Sequence, residues 1–409
     1  MQTTLSPEFK GTPEGDEAEA ILRKCVHCGF CTATCPTYQL LGDELDGPRG
    51  RIYLMKQVFE GAEPTRATQL HLDRCLTCRN CETTCPSGVQ YGHLVDVGRK
   101  VVEAKVQRPV GERAVRWLLK EGLTSPLFAP AMKLGQMVRP LLPPLLKDKV
   151  PERHAPRAHE WPQREHPRKV LMLAGCVQPA MMPNVNAATA RVLDAAGIQV
   201  LVAGEAGCCG AIKTHLNDTE GGLDHMRRNI DAWWPRLSSG QVEGIVVNAS
   251  GCTVTVKEYG HALRNDPAYA VKAAQVSAAA KDLSELLPAI APLLAGRIRT
   301  GGPKKLVFHP PCTLQHGQQV RGPVETGLAA LGFEVTLANE SHLCCGSAGT
   351  YSVLQPELSH QLRDRKLANL QATQPEAIVS ANIGCIQQLQ SGTATPVRHW
   401  VEVVDEAIG

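Results

Sequence analysis

The chain has 409 residues, an ordinary apolar share of 43%, few aromatics and a formal net charge of +3. That length accommodates two to four domains with real cores, and the small charge argues against a nucleic-acid or strongly anionic partner. No apolar run approaches the roughly 18 residues of a membrane-spanning helix.

Residues 1–18 are polar and rich in Gly, Pro and acidic residues, and read as a flexible tail. They have neither the basic n-region nor the apolar h-region of a signal peptide. Sixteen cysteines without an export signal point to the reducing cytoplasm, with thiolates bound to metal.

Residues 19–106 read as a mostly α-helical domain. Ala18, Ile21 and Leu22 lead into Cys25, apolar residues recur at helical spacing over Arg51–Phe59, and a further helix is expected over His93–Val106. Two copies of Cys-x2-Cys-x2-Cys-x3-Cys-Pro lie in this region: Cys25, Cys28, Cys31, Cys35 with Pro36, and Cys75, Cys78, Cys81, Cys85 with Pro86. This is the bacterial ferredoxin ligand run, in which the fourth cysteine of each run serves the other run's cluster. Cys25, Cys28, Cys31 and Cys85 are therefore assigned to one [4Fe–4S] cluster, and Cys75, Cys78, Cys81 and Cys35 to a second. Zinc sites rarely use a strict four-cysteine run ending in Pro, and a disulfide framework needs an oxidising compartment. Backbone N–H groups at the helix starts are expected to donate to sulfur.

Residues 107–168 form a helical and Pro-rich connector. Leu123–Lys147 is rich in Leu, Pro and Met; such a stretch more often packs between domains than touches a membrane or a quinone. Pro151–Lys169, with His154, His159 and His166, reads as an exposed linker.

The remainder is an internal repeat, residues 169–300 and 301–409. Lys169–Cys176 matches Lys305–Cys312, each an apolar strand running to a cysteine. After thirty-one intervening residues in each half come Cys208-Cys209-Gly210 and Cys344-Cys345-Gly346. Gly244–Cys252 then matches Ala377–Cys385. Helices over Ala187–Ala196 and Pro323–Leu331, each followed by a strand (Ile198–Val202 and Phe333–Leu337), argue for two small α/β domains with parallel sheets. The strand carboxyl ends of such sheets gather in a crevice, which delivers Cys176, Cys208, Cys209 and Cys252 to one edge and Cys312, Cys344, Cys345 and Cys385 to another. Three readings compete for these thiols: a further iron–sulfur cluster in one or both groups, a thiol redox pair, or buried structural cysteines. His309, His316 and His342 lie near the second group and His215 near the first; a lone histidine is usually structural or on the surface.

No Gly-x-Gly-x-x-Gly opens a βαβ unit and no Gly-x4-Gly-Lys-Ser/Thr loop is present. Oxidising a 2-hydroxy acid needs a flavin or nicotinamide, so no catalytic residue is assigned to this chain.

The cysteine runs, the Asp46-Gly-Pro-Arg-Gly-Arg-Ile52 segment and the duplicated Cys-Cys-Gly modules resemble the iron–sulfur subunits of glycolate oxidase over almost the whole chain. Iron–sulfur subunits of anaerobic glycerol-3-phosphate dehydrogenase and of lactate-utilisation systems share the layout, and the Cys-Cys-Gly module recurs in heterodisulfide reductase. The resemblance implies an electron-transfer subunit, with two clusters held by the eight ferredoxin cysteines and FAD on partner subunits that oxidise glycolate to glyoxylate. It implies a quinone-linked acceptor and a peripheral location on the cytoplasmic face of the inner membrane. The alternatives are the corresponding subunit of a lactate or glycerol-3-phosphate dehydrogenase, or a thiol–disulfide reductase. In heterodisulfide reductase the module ends in Cys-x2-Cys. Here Cys252 is followed by Thr253, Val254 and Thr255, and Cys385 by Ile386, Gln387 and Gln388, so the fifth thiolate is missing from both halves.

Overall fold

Helix signals at the amino end begin earlier than the apolar pattern suggests. In the computed structural model, which describes residues 1–141, 150, 156–299 and 302–409, the first helix spans Pro13–Lys24. The Thr12 hydroxyl caps it by accepting from the Gly15 N–H at 3.0 Å. The stretch before it is not a loose tail. Phe9 packs edge-on against Phe59 with ring centroids 5.0 Å apart, the Ser6 N–H donates to Phe59 O, and Thr3 is buried. The polar composition concealed two well-placed apolar and backbone contacts.

The helices Pro48–Phe59 and Tyr91–Lys105 then bury Ile52, Met55, Val58, Leu94, Val95 and Val102 against Ile21 and Leu22 of the first helix. The two cysteine loops lie at the ends of this bundle.

The connector carries two helices, Val110–Thr124 and Phe128–Val138, neither with a buried residue. Trp117, Leu118, Leu127, Leu134 and Met137 are exposed. In its described part the stretch does lie against the first sheet domain, with Phe128–Val138 beside Gln178–Met181 and Gln136 Nε2 donating to Ala180 O at 3.5 Å, but that contact leaves these apolar side chains exposed. Residues 142–147 and His154 lie outside the described residues.

Each half of the repeat forms a four-stranded, all-parallel sheet. In the first the order is β2-β1-β3-β4, from β1 (Arg168–Met172), β2 (Ile198–Leu201), β3 (Ile245–Val247) and β4 (Ala280–Asp282). In the second it is β6-β5-β7-β8, from β5 (Lys305–His309), β6 (Glu334–Leu337), β7 (Ala377–Ser380) and β8 (Val397–His399). The chain leaves the first strand of each sheet in opposite directions, toward β2 and β3 or β6 and β7, which opens a crevice at the carboxyl ends. The fourth strands, β4 (Ala-Lys-Asp) and β8 (Val-Arg-His), are as short as β3 but carry charged and polar residues, so they do not register as apolar runs.

The halves exchange helices. Leu283–Leu294 of the first packs against Pro323–Ala330 of the second, and Trp400–Ile408 of the second packs against Pro183–Ala195 of the first, all within one apolar core. Contact is so close that a Cβ on Gly327 would lie 2.4 Å from Leu287 Cγ. Arg191 also reaches across to Asp405 at 2.7 Å.

Candidate metal centres

The two ferredoxin-type runs fold into matching loops, each following a helix end and entering a short helix, Phe30–Ala33 or Asn80–Thr84. Each loop takes two left-handed residues between its cysteines: His27 and Gly29 in the first, Thr77 and Arg79 in the second. Three of these are not glycine and carry the strain of that conformation. The bend turns the Thr77 N–H onto Cys75 Sγ at 3.4 Å, and the Tyr91 hydroxyl donates to the same sulfur at 3.7 Å. Nothing in the residue types His, Thr and Arg signals these bends; only the loop geometry does.

The fourth cysteine of each run stands with the other run. Burial, then the nearby Cys25, Cys85 and Cys28, push the Cys31 thiol up to about 11. Burial, then Cys78, Cys75 and Cys35, push up the Cys81 thiol. Four soft donors thus converge at each of two places, where burial and the neighbouring sulfurs hold Cys31 and Cys81 against ionising without a cation. That donor set fits an iron–sulfur cluster, which takes the sulfurs as thiolates.

Behind the second place lies a buried charge network built from the Asp46–Ile52 segment. Asp46 accepts from Arg51 at 3.3 Å and Arg74 at 2.9 Å, and lies 3.1 Å from His71 Nδ1. Arg51, 1% exposed, also donates to the Thr37 hydroxyl at 3.1 Å and His71 O at 2.7 Å. Burial opposes its charge, but Cys75, Tyr91, Cys35 and Asp46 outweigh it, so Arg51 stays cationic beside the sulfurs. Arg99 grips Leu72 O and Cys75 O at 2.7 and 2.6 Å. Two buried guanidinium groups therefore face the negative charge that a bound cluster brings.

The two places differ in cover. Cys28 is exposed, flanked by Val26 and Phe30, which are 67% and 61% exposed. The second is roofed by the second sheet domain, where Leu76 meets Tyr351, Leu358 and Leu362 around Cys312 and Cys344. Burial, then Cys312, raise the Cys78 thiol. The joint is pinned by Asn80 Nδ2 donating to His342 O at 3.3 Å, Thr83 Oγ1 to His316 Nδ1 at 3.0 Å, and Tyr351 OH to Arg74 O at 3.2 Å. On the other side Arg79 pairs both oxygens of Glu258, and His93 stacks on His261 at 3.9 Å.

Each Cys-Cys-Gly quartet gathers at its sheet's carboxyl edge. Cys176 follows β1, Cys208 and Cys209 follow β2, and Cys252 sits in the helix Ser250–Lys257 after β3; the second half repeats this with Cys312, Cys344, Cys345 and Cys385. The glycine of the motif is obligatory. Gly210 and Gly346 are left-handed, a Cβ on Gly346 would lie 2.4 Å from Ser359 O, and each N–H donates to the first sulfur of its pair at 3.4 Å. Sulfurs of Cys312 and Cys344 are 3.9 Å apart. In the first quartet the thiols of Cys176 and Cys209 donate to Cys208, whose pKa is driven far down. In the second, Cys312 is raised by its hydrogen bond with Cys344 and by burial; Cys344 and Cys345 are each lowered by one neighbouring thiol, but a hydrogen bond with the next thiol and burial outweigh that and leave both raised. Lys366, lowered to about 8 by burial against the pull of Cys345 and Cys344, sits close enough to feel both.

The four histidines separate clearly. His316, lowered to about 4 by burial, bridges Thr83 and His342 O as part of the joint. His342 contributes its carbonyl there. His215 lies 3.9 Å from Asp96, facing the helical domain. His309 alone clusters with thiols: its ring, Cys345 Sγ and Cys385 Sγ lie within 4.8 Å of one another, all buried.

Dicluster ferredoxin loops joined to two cysteine-edged parallel sheets define a class: iron–sulfur proteins that pair a 4Fe–4S dicluster domain, matched at residues 21–89, with two cysteine-rich domains, matched at 170–257 and 306–390. The chain is 56% identical to the glycolate oxidase iron–sulfur subunit of Escherichia coli K12, over 100% of this chain and 99% of that protein. It is 31% identical to the probable glycolate oxidase iron–sulfur subunit of Bacillus subtilis 168, over 95% and 92%. Lactate utilization protein A of Bacillus velezensis is 28% identical, over 54% of this chain and 90% of that one. The chain belongs to the glycolate oxidase iron–sulfur subunit family.

Proposed function

We propose that this chain is the electron-transfer subunit of a flavin-dependent glycolate oxidase complex. It takes electrons released when a partner FAD subunit oxidises glycolate to glyoxylate and delivers them singly toward a quinone-linked acceptor. The observation that carries this is the crossed pair of four-thiol sites, one open at Cys28 and one buried against the second sheet domain. Iron–sulfur clusters, when bound, supply one-electron storage and transfer.

The chain's own residues do the rest. Cys25, Cys28, Cys31 and Cys85 hold one [4Fe–4S] cluster at the surface, where the exposed Val26 and Phe30 offer an apolar rim to a partner. Cys75, Cys78, Cys81 and Cys35 hold the other, with Arg51 and Arg99 offsetting its charge. The Cys-Cys-Gly quartets, Cys176, Cys208, Cys209 and Cys252 and Cys312, Cys344, Cys345 and Cys385, are proposed as sites for additional metal. Among the described residues no helix is long and apolar enough to cross a membrane. The exposed apolar residues of Val110–Thr124 and Phe128–Val138 support a peripheral seat on the cytoplasmic face of the inner membrane.

One observation favours a second reading, a thiol–disulfide reductase: Cys208 is held toward its thiolate beside the partly exposed Cys176 and Cys252. The deciding experiment is anaerobic purification of the tagged chain from its own cells, followed by dye reduction with glycolate, D-lactate and glycerol 3-phosphate. Activity with glycolate that disappears when flavin-bearing partners are stripped supports the conduit. Disulfide turnover by the iron-loaded chain alone, with no activity toward the three substrates, overturns it.

A further inference from the structure

The two quartets are not copies of one site. Strand register aligns His309, which pairs with Ser380, with Leu173 in the first half. Leu173 is 2% exposed and belongs to the same apolar cluster as Cys209. The fold therefore accepts an aliphatic side chain at this strand end, and the backbone does not require a histidine there.

His309 is 1% exposed, and neither ring nitrogen has a hydrogen-bond partner. Leaving a buried polar atom unpaired costs about 1–3 kcal/mol, and a neighbouring apolar residue avoids that cost in the first half. The bare ring is aimed at sulfur: its nitrogen, Cys345 Sγ and Cys385 Sγ lie mutually within 4.8 Å. Cys312 and Cys344 continue the same cluster of donors, 3.9 Å apart. An imidazole nitrogen beside thiolates is a donor set that zinc and iron both take. Neither nitrogen has to break an existing hydrogen bond in order to bind.

We propose that His309 is a metal ligand, completing with Cys312, Cys344, Cys345 and Cys385 a five-donor site for a thiophilic metal centre in the second half alone. The imidazole stands in for the missing fifth thiolate. In the first half Leu173 takes its place, and among the described residues no imidazole there groups with two thiols as His309 does. This inference rests on the proposal that the second quartet holds metal.

The test uses the complex purified anaerobically from its own cells. Iron, zinc and acid-labile sulfide are counted per chain, and X-ray absorption is recorded at both metal edges, which separates a mononuclear zinc site from an iron cluster. The expected result is metal beyond the content of two [4Fe–4S] clusters, with nitrogen scattering at one edge. His309→Leu, which copies the first half, should remove the nitrogen signal and speed loss of the additional metal to a chelator at least about tenfold. His309→Cys should restore retention. The variants' ferredoxin-type cluster signals report that the chain is folded. Should His309→Leu fail to fold, nitrogen scattering in the unaltered complex still decides. Additional metal with sulfur scattering alone, unchanged in His309→Leu, overturns the role of His309 and leaves the second quartet a metal site. No metal beyond two clusters overturns both.

Discussion

The two sheet domains share strand order, cysteine spacing and the left-handed glycine after the cysteine pair, yet they present their thiols differently. In the first, Cys176 and Cys252 are partly exposed; in the second, all four cysteines are buried. The second also faces the helical domain through Leu76 and the Cys78–Cys312 approach, while the first meets that domain through ion pairs at Glu258. Duplication supplied two equivalent edges, and docking of the helical domain made them unequal. A buried, thiol-rich edge beside a second thiol-rich site suits electron exchange; an open one suits chemistry with something from solution.

The largest expected effect comes from cutting the contact that distinguishes the second half. Cys78→Ser should remove the inner cluster's spectrum and drop substrate-to-quinone turnover to background, while flavin reduction in the partner survives. Turnover that persists unchanged would break the conduit reading. Next, Cys345→Ser and Cys209→Ser probe the same motif position in the two halves. Metal content should fall in both variants, and turnover should fall further for Cys345→Ser, whose edge faces the inner site; equal losses of turnover would erase the contrast.

A third test concerns charge at the inner site. Arg51→Met strands Asp46 with Arg74 and His71 in the interior, and losing one partner of a buried ion pair costs about 3–5 kcal/mol. The measurement is the denaturant midpoint of iron release, with an unchanged midpoint counting against the network.

The smallest effect is at the joint with the first half. Burial favours a neutral Glu258, but hydrogen bonds from His93 and Arg79 outweigh it and hold the carboxyl at about 2. Its contribution is complete above the unfolded carboxyl value of about 4.3 and fades as pH falls toward 2. His93 is opposed by burial and raised by Glu258. Its contribution is complete below its unfolded value of about 6.5 and fades as pH rises through the higher folded value. Hydrogen exchange across residues 79–93 should therefore be slowest between these limits, and Glu258→Gln should flatten the profile. A profile that Glu258→Gln leaves unaltered would remove these ion pairs from the joint.

Much of this molecule was legible because cysteine spacing and strand periodicity are local. The runs at Cys25 and Cys75, the repeat, the parallel sheets and the helices near 51–59 and 93–106 all depend on residues close in sequence. What escaped depends on distant partners. The amino-terminal stretch reads as tail because Phe9 finds Phe59 only in three dimensions. Leu127, Leu134 and Met137 read as interdomain packing, and their stretch does touch the first sheet domain, yet these side chains themselves stay exposed. His309 looks like any strand-end histidine until its bare nitrogens are seen beside Cys345 and Cys385. The charge network around Arg51 was visible only as a family resemblance, since pairing with Asp46, Thr37 and His71 O is a property of the folded bundle.

The exchange of helices between the halves has a consequence for how such a molecule can specialise. Leu283–Leu294 and Trp400–Ile408 make the repeat a permanent pseudo-dimer inside one chain. A true homodimer of one module carries every substitution twice, so its two edges stay alike. Here a leucine at 173 and a histidine at 309 coexist, each confined to its own side while the shared core stays intact. Fusion fixes the distance between the two thiol edges and at the same time frees them to take up different chemistry.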